Sequence, residues 1–409
     1  MIRSRPCAPE QRHVCIVTET FPPEVNGVAL TLARLAEGLR LQGYAVSVVR
    51  PRQPGFDRRG ADDDPEGILV RGMPLPGYQG LRFGLPAARL LRHRWKRHRP
   101  NVVYIATEGP LGWSALRAAR GLSIPAFSGF HTNFHTYSKH YHAGWLHSLI
   151  IGYLRAFHNR TAGTIVAGSD LREQLQAAGL KNVSILGRGV DSRLFHPNRR
   201  CSELRRQWGA ADRDQVALYV GRLAPEKNLG LAFRAYRAMR RENNAVKFVV
   251  VGDGPQRVPL QRKHSDVIFC GLQAGKELAR HYASADVFLF PSETETFGNV
   301  TLEAMASGLV VVAYDYAAAH LHIVHSESGM LIPCGEPRAF IDTAARIARE
   351  PRSVLNIRSQ ARDCAASLDW QRVFERFAVL LLGSSRRDHA LTSEVVANSS
   401  ETTLDHYFS

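Results

Sequence analysis

Residues 287–308 read VFLFPSETETFGNVTLEAMASG, and they contain the strongest structural pattern in the chain. A short, nearly continuous apolar run is followed by a polar loop with Gly298 and then by a helix-forming segment. A strand that is apolar on both faces and leads into a helix is typical of a parallel sheet with covered faces. The stretch therefore predicts a strand, a loop at the carboxyl edge of a sheet, and a helix that begins at Gly298 or Asn299.

The same alternation of short apolar runs and helix-length amphipathic segments extends through most of the chain. The predicted strands are 13–18, 45–49, 101–105, 164–167, 184–186, 216–220, 246–251, 267–270, 287–290 and 310–313. Two successive series of this kind predict an α/β protein with two Rossmann-like, doubly wound domains.

A boundary between the two series is predicted at residues 187–197, GRGVDSRLFHP, where two glycines and a proline bracket a polar stretch. Near the C-terminus, Asp369 is a candidate N-cap for an amphipathic helix. The polar end of the chain predicts a disordered tail. The predicted organisation is an N-terminal domain 1–190, a C-terminal domain 191–368, a helix 369–383 and a tail 384–409.

The composition excludes several classes of protein. Of the 409 residues, 44% are hydrophobic and 22% charged, which supplies apolar side chains for two cores. No apolar run reaches the ~18–20 residues that a membrane-spanning helix needs, and the start of the chain lacks the pattern of a secretory signal. The six cysteines show no CxxC spacing, so neither a disulfide framework nor a zinc site is indicated. We expect a reduced, cytoplasmic protein.

The net charge of +16 is concentrated in the first half of the chain. Residues 1–190 carry 25 Lys/Arg against 12 Asp/Glu, whereas residues 191–409 carry 28 against 25. The densest run is RLLRHRWKRHR at 89–99. One interpretation is attraction to an anionic membrane surface or acceptor, and the other is a solvated, arginine-rich helix face. We do not expect nucleic acid as a partner, because no binding motif for it accompanies the charge.

Two carboxylates flank the predicted helix start in the 287–308 stretch. Free N–H groups at such a helix start, on the carboxyl edge of a sheet, form a phosphate site. Glu295 lies in the loop and Glu303 one turn into the helix. Carboxylates repel phosphate, so this pair suits the hydroxyl groups of a sugar and a ribose.

Glu295 and Glu303, with TFGNVTL between them, resemble the E-x7-E motif of retaining glycosyltransferases with the GT-B fold. The resemblance implies two Rossmann-like domains that face each other across a cleft, with a C-terminal helix that crosses back to the N-terminal domain. It also implies a nucleotide-sugar donor and transfer with retention of anomeric configuration. Glu295 would then hold the sugar hydroxyls and Glu303 the ribose. The donor-binding residues between them would be Phe297, Gly298, Asn299 and Val300.

A basic motif follows the first predicted strand of the second domain. Residues 220–228 read VGRLAPEKN, in which Arg222 can form two parallel hydrogen bonds with a phosphate and Lys227 is a point charge. The motif resembles the family's diphosphate-binding pair. By that resemblance Gly221, Arg222 and Lys227 bind the donor, and the two cations stabilise the leaving diphosphate.

Two further residues are assigned to the site. In TETFPPEVNGV at 18–28, a tight loop before a helix from Ala29 would let the backbone of Gly27 approach a phosphate. Unliganded turns have the same pattern, but the family has a glycine loop here. In FHTNFH at 130–135, His131 lies at the end of a further predicted strand, 125–128, and resembles the family histidine that contacts the transferred sugar. We therefore predict His131, Arg222, Lys227 and Glu295 as the catalytic residues.

Metal ions and cofactors are not expected. The histidines at 135, 140, 142 and 147 lack a spaced carboxylate partner, and the acidic run at 62–64 lies in a Gly/Pro loop. We interpret that run as a solvated turn. The proposed reaction needs no cofactor, only GDP-mannose or a UDP-hexose as donor substrate.

The motifs at 75–78 and 107–112, with FHTNF and the opening IVTETFPPEVNGVALTL, look similar to GDP-mannose-dependent α-mannosyltransferases. They also resemble bacterial enzymes that build glycosyl-diacylglycerols, with a UDP-sugar as the alternative donor. A lipid or glycan acceptor and a peripheral position on the cytosolic face of a membrane fit the basic N-terminal half. A nucleotide-sugar epimerase or hydrolase, and a non-catalytic binder, are the alternatives of another class. One segment departs from the family, since YDYAAAHLH at 314–322 replaces its usual Gly-Gly-x-x-Glu.

Overall fold

A computed structural model describes residues 11–24, 26–57, 67–74, 82–131, 144–295 and 297–383. The strands are β1 His13–Val17, β2 Ala45–Pro51, β3 Gly67–Val70, β4 Gly72–Pro74, β5 Arg82–Gly84, β6 Val102–Ile105, β7 Ala126–Gly129, β8 Gly163–Val166, β9 Val183–Ile185, β10 Val216–Val220, β11 Lys247–Val251, β12 Ile268–Gly271, β13 Val287–Phe290, β14 Val310–Tyr314 and β15 Met330–Ile332. The helices are α1 Gly27–Leu41, α2 Ala88–Arg97, α3 Pro110–Arg120, α4 Gly144–His158, α5 Ser169–Ala177, α6 Ser202–Gln207, α7 Leu229–Glu242, α8 Arg257–Lys263, α9 Gly275–Ser284, α10 Asn299–Ala306, α11 Ala317–His322, α12 Pro337–Arg349, α13 Leu355–Ser367 and α14 Trp370–Leu382.

The two main sheets are parallel and have the topology of doubly wound domains. The first has the order β3-β2-β1-β6-β7-β8-β9 and the second β12-β11-β10-β13-β14-β15. In each sheet the first strand of the series, β1 or β10, lies between two parallel neighbours. All the residues of β10 and β13 are buried. The predicted fold class, two Rossmann-like α/β domains, is confirmed.

The described chain divides into two compact units. One contains the described residues among 1–130, 156–165 and 371–409, and the other those among 131–155 and 166–370. The C-terminal helix α14, from residue 371 onward, belongs to the first unit, where the Phe377 ring meets the Tyr104 ring edge-on with 5.0 Å between centroids. The predicted return of this helix to the N-terminal domain is therefore confirmed. The boundaries predicted at 190, 368 and 383 stay predictions.

The structure corrects several predicted elements. Helix α1 begins at Gly27 instead of Ala29, because the Asn26 Oδ1 accepts a hydrogen bond from the Ala29 N–H at 2.9 Å and caps the helix. Gly27 is thus a helical residue and not a loop glycine. Four strands were not predicted, namely β3, β4, β5 and β15. Strands β4 and β5 contain glycine, proline or arginine and are mostly exposed or half-buried, so no apolar run marks them.

Some predictions fall outside the described residues. These are the turn at 62–64, the motif at 75–78, residues 132–135 of the FHTNFH segment, the other histidines at 140, 142 and 147 (for 147, its side chain), and the tail 384–409. Within the described part of the chain, no helix has both the length and the apolar character needed to cross a membrane.

Helix α14 and helix α1 meet at a glycine, which gives a test of this packing. A Cβ atom on Gly38, inside α1, would overlap the ring of Phe374 in α14. Overpacking of this kind costs about 1–3 kcal/mol, so Gly38→Ala should lower the free energy of unfolding by that order. Urea unfolding followed by circular dichroism measures it.

The matched control is Gly152→Ala in α4, also a helix-interior glycine, where a Cβ meets nothing within 4 Å. Alanine has the higher helix propensity, so this variant should be neutral or up to about 1 kcal/mol more stable. Equal unfolding midpoints for the two variants would contradict the close packing of α1 and α14.

Candidate active site

Three loops leave the carboxyl edge of the second sheet side by side. Strand β13 pairs in parallel with both β10 and β14. The carboxyl ends of these strands therefore lie at one edge, and the loops that begin at Gly221, Pro291 and Asp315 start there. This is the edge where open α/β sheets bind ligands. The two motifs predicted to bind the donor occupy the first two loops.

An ion pair joins the first two loops. The Lys227 Nζ lies 2.5 Å from the Glu295 Oε1, and the two side chains are only 16% and 15% exposed. A second contact reinforces it, because the Thr294 hydroxyl donates to the Glu226 carbonyl oxygen at 3.0 Å. Two residues that the sequence predicted as catalytic are therefore in direct contact, although they are 68 positions apart.

Arg222 is more exposed than Lys227. Its guanidinium lies 3.6 Å from the Glu226 carboxylate, and its side chain is 50% exposed. Exposed ion pairs of this kind contribute little to stability, so the guanidinium can exchange this carboxylate for an anionic ligand at low cost. The backbone of Arg222 is also held in place, because the hydroxyl of the buried Tyr219 donates to the Arg222 carbonyl oxygen at 3.2 Å.

Glycines bring the loop after β10 against the loop after β11. At Gly252 the φ angle is +137°, and a Cβ there would overlap the Gly221 carbonyl oxygen. The Gly221 N–H in turn donates to the Val251 carbonyl oxygen at 3.0 Å. The backbone that leads to Arg222 is thus fixed by contacts that only glycine permits.

Helix α10 begins at Asn299, as predicted, with Gly298 as its N-cap residue. Gly298 is left-handed, with φ 90° and ψ 57°, a conformation that favours glycine. The first turn of α10 contains no acidic residue, so its positive dipole end is not neutralised from within the helix. Phe297, just before it, is buried at 5% exposure.

Glu303, the fifth residue of α10, has a partner that the sequence did not reveal. The hydroxyl of the buried Tyr282, in α9, donates to the Val300 carbonyl oxygen at 3.4 Å and lies close enough to Glu303 for the charge of that carboxylate to act on it. Burial, and then the charge of Glu303, raise the pKa of Tyr282 well above its ordinary value. The tyrosine thus stays protonated and donates. No spacing rule connects these two residues, because they lie on different helices.

The segment that departs from the family supports the loop with Glu295. The Tyr316 hydroxyl donates to the Glu295 carbonyl oxygen at 3.0 Å. The Ala318 N–H donates to the Phe297 carbonyl oxygen at 2.7 Å, and the His322 ring meets the Phe297 ring at 5.9 Å. Residues 314–322 therefore position the acidic loop by direct contact.

The same segment carries a charged pair. The His320 Nδ1 lies 2.7 Å from the Asp315 Oδ1, and this hydrogen bond raises the pKa of His320.

Two predicted site residues, Gly27 and His131, are not part of these three loops. Gly27 is the first residue of α1, and a Cβ there would meet nothing within 4 Å. His131 follows the end of β7, and its Nδ1 lies 3.2 Å from the Arg188 guanidinium. Their part in the site stays a prediction.

The first sheet also has an unusual carboxylate at its edge, which the sequence did not single out. Glu19 follows β1 and accepts a hydrogen bond from the Leu111 N–H, in the first turn of α3, at 3.3 Å. Burial raises the pKa of Glu19 to about 7. Among the described residues, no group of three His, Cys, Asp or Glu is arranged to hold a metal ion.

The chain matches two protein families, Glycosyltransferase Family 4 over residues 25–194 and Glycosyl transferases group 1 over residues 214–350. A GDP-mannose-dependent alpha-mannosyltransferase of Mycobacterium tuberculosis (strain CDC 1551 / Oshkosh) is 36% identical over 331 residues, which are 79% of this chain and 84% of the relative. An alpha-monoglucosyldiacylglycerol synthase of Streptococcus pneumoniae is 28% identical over 312 residues, 73% of this chain and 70% of the relative.

Among solved structures, Anabaena HepE in complex with UDP and glucose has a TM-score of 0.69 at 19% identity, covering 90% of this chain and 98% of that one. Two parallel α/β domains, with paired acids and cations at the edge of the second sheet, define a nucleotide-sugar-dependent glycosyltransferase of the GT-B fold. The chain belongs to the group 1 glycosyltransferase family.

The contact between Tyr316 and the Glu295 loop can be tested by Tyr316→Phe. Loss of one hydrogen bond costs about 0.5–1.5 kcal/mol, which corresponds to a decrease in kcat/KM of roughly 2–13-fold if the loop shifts. Steady-state transfer of sugar from the donor measures it.

The matched control for Tyr316→Phe is Tyr236→Phe, which also removes a hydroxyl that bonds to a carbonyl oxygen, that of Asp266. Tyr236 lies on α7, outside the three loops, so its activity should match the wild type. Unchanged kcat/KM in Tyr316→Phe would show that this hydroxyl does not position Glu295.

Proposed function

We propose that the protein transfers a hexose, with mannose the first candidate, from a nucleoside-diphosphate sugar to an acceptor hydroxyl with retention of configuration. The observation that carries the proposal is the ion pair between Lys227 and Glu295 at the carboxyl edge of the second sheet. It places a cation suited to a diphosphate directly beside an acid suited to sugar hydroxyls.

The difficult step is charge separation at the anomeric carbon. The bond from this carbon to the diphosphate oxygen breaks as the acceptor oxygen bonds to it on the same face. The acceptor proton passes to an oxygen of the leaving nucleoside diphosphate. Arg222 and Lys227 stabilise the negative charge that the leaving group acquires, and removal of one such preorganised charge costs about 10²–10³ in rate.

The two acids have separate tasks in this proposal. Glu295 binds hydroxyls of the transferred sugar, and Glu303 binds those of the ribose. The backbone of Gly221 and Gly298, with the helix start at Asn299 and Val300, adds partial positive charge for the phosphates.

Three assignments rest on resemblance more than on contacts. Gly27 would offer its backbone to the donor phosphates, and Phe297 would line the sugar site. His131 would contact the transferred sugar. The mechanism requires no metal, because Arg222 and Lys227 supply the positive charge.

The donor proposed is GDP-mannose, since the Mycobacterium tuberculosis relative is named for it. A UDP-hexose is the alternative, and the corresponding activity would be that of a glycosyl-diacylglycerol synthase. Assays with GDP-mannose and several UDP-sugars distinguish the two. An epimerase or hydrolase would give product without acceptor, and a non-catalytic binder would give none.

The acceptor proposed is a membrane glycolipid or diacylglycerol, met at the cytosolic face of a membrane. Helix α2 supports this proposal, because Leu91 and Trp95 are buried while its exposed face is basic. Exposed cations on or next to α2 are Arg89, Arg92, Lys96, Arg97 and Arg99. The helix itself contains no acidic residue, so an anionic lipid surface would meet positive charge that no acid of the same helix offsets.

The phosphate assignment predicts that Arg222→Ala lowers kcat by about 10²–10³, because the leaving diphosphate loses a guanidinium partner. Arg241→Ala, an exposed arginine of α7, is the control and should keep wild-type turnover. Release of GDP in the presence of acceptor measures both. Wild-type turnover in Arg222→Ala would contradict the assignment of Arg222 to the leaving diphosphate.

The membrane assignment predicts that replacing Arg89, Arg92, Lys96 and Arg97 by Gln weakens binding to anionic liposomes about a hundredfold or more. The physical reason is the loss of about 1 kcal/mol per charge near the lipid surface. Cosedimentation with phosphatidylglycerol vesicles at low and high salt measures it.

A matched set, Arg213, Arg241, Arg262 and Lys276 changed to Gln, removes four exposed cations from the second unit. It should leave binding nearly unchanged. If both quadruple variants bind as the wild type does, α2 is a solvated surface and the membrane proposal is wrong.

A further inference from the structure

His131 is held by a buried arginine that no motif assigned. Arg188 lies three residues after β9 and is only 7% exposed. Its Nη2 lies 3.2 Å from the Nδ1 of His131. His131 itself is half-buried and comes two residues after β7.

The chemistry of this contact determines the tautomer of the imidazole. A guanidinium has N–H donors and no acceptor, so the Nδ1 of His131 must accept the hydrogen bond. An accepting Nδ1 carries no proton, and the ring is then neutral with its proton on Nε2. A doubly protonated ring would lose this bond and place two cations side by side.

Both partners are rigidly placed. The backbone beside Arg188 is fixed, because the Val190 N–H donates to the Leu368 carbonyl oxygen at 3.0 Å and a Cβ on Gly189 would lie 2.8 Å from the Trp370 nitrogen. On the other side, the Phe130 N–H donates to the Ile165 carbonyl oxygen at 2.9 Å. The backbone next to each of the two residues is therefore hydrogen-bonded in place.

A buried polar cluster in the first unit anchors β7, the strand that precedes His131 in the sequence. The Ser128 hydroxyl lies 2.9 Å from the Nδ1 of His158 and 3.1 Å from the Thr164 hydroxyl. The His158 ring also contacts the Phe130 ring, with 5.5 Å between centroids. Burial lowers the pKa of His158 to about 4, so this cluster stays neutral at physiological pH.

We infer that Arg188 is a positioning residue that holds His131 as the neutral tautomer with its proton on Nε2. In this state His131 donates a hydrogen bond from Nε2 to an oxygen of the transferred sugar and cannot take up a proton at Nδ1. This step rests on the proposed function, which assigns the sugar contact to His131. It also means that His131 is not the general base for the acceptor hydroxyl.

The tautomer can be observed without any activity. Long-range ¹H–¹⁵N correlation spectra of the ¹⁵N-histidine-labelled protein distinguish protonated from unprotonated ring nitrogens, and His131→Gln identifies the signals of His131. In the wild type we expect Nε2 to be protonated and Nδ1 to be unprotonated. Arg188→Met, which lacks a donor, should abolish this preference, whereas Arg188→Gln keeps an N–H donor and should retain it.

Kinetics then test the link to the reaction. Arg188→Met should lower kcat/KM about tenfold or more, and Arg188→Gln should recover most of it. In a His131→Gln background, Arg188→Met should cost less than twofold, because the effect acts through His131. The matched control is Arg193→Met, which changes an exposed arginine five positions further along the chain. It should leave kcat/KM unchanged.

Two results would overturn the inference: a protonated Nδ1 on His131 in the wild type, or an equal loss for Arg188→Met with and without His131. If Arg188→Met fails to fold, the wild-type spectrum and Arg188→Gln still decide. A different result would contradict only the proposed sugar contact: the wild type shows the expected tautomer, but His131→Gln keeps full activity. Failure of the inference and failure of the proposed function can therefore be distinguished.

Discussion

The ion pair between Lys227 and Glu295 is the interaction on which the second domain's site depends. It joins two loops that leave neighbouring parallel strands, and it lies where the side chains are mostly shielded from water. A carboxylate so placed would be costly without its cation, and a cation without its carboxylate likewise. The two charges therefore stabilise each other. Under the proposed function a donor takes over both roles, with phosphates for Lys227 and hydroxyls for Glu295.

Three tyrosines support this arrangement from the side of the core. Tyr219 donates to the carbonyl oxygen of Arg222, Tyr316 to that of Glu295, and Tyr282, which lies next to Glu303, to that of Val300. The Tyr219 and Tyr282 rings are buried, so their hydroxyls occupy fixed positions at the polar edge of an apolar core. Catalytic groups in surface loops need this kind of support, because loops alone define positions less well than strands and helices do.

The predicted and observed bounds of the strands agree best where every residue is buried and must therefore be apolar. Strands β10 and β13 begin and end as predicted, because every residue in them is buried and must be apolar. The short strand β4 was missed, because it contains glycine and proline and its side chains are mostly exposed. The start of α1 was misplaced because the Asn26 cap was interpreted as part of a turn. The first and last residues of a helix depend on single capping hydrogen bonds, and the spacing of apolar residues does not predict these bonds.

The sequence by itself determined the order and type of the main elements, the two-domain α/β class, and the motifs of the group 1 glycosyltransferases. Local spacing is sufficient for these, because apolar periods and loop glycines act within a few residues. The tertiary structure alone decided that Lys227 meets Glu295, that Tyr282 lies next to Glu303, and that Arg188 bonds to His131. These partners are distant along the chain. They meet because strand order brings separate loops to one sheet edge, and that order depends on the packing of the whole domain.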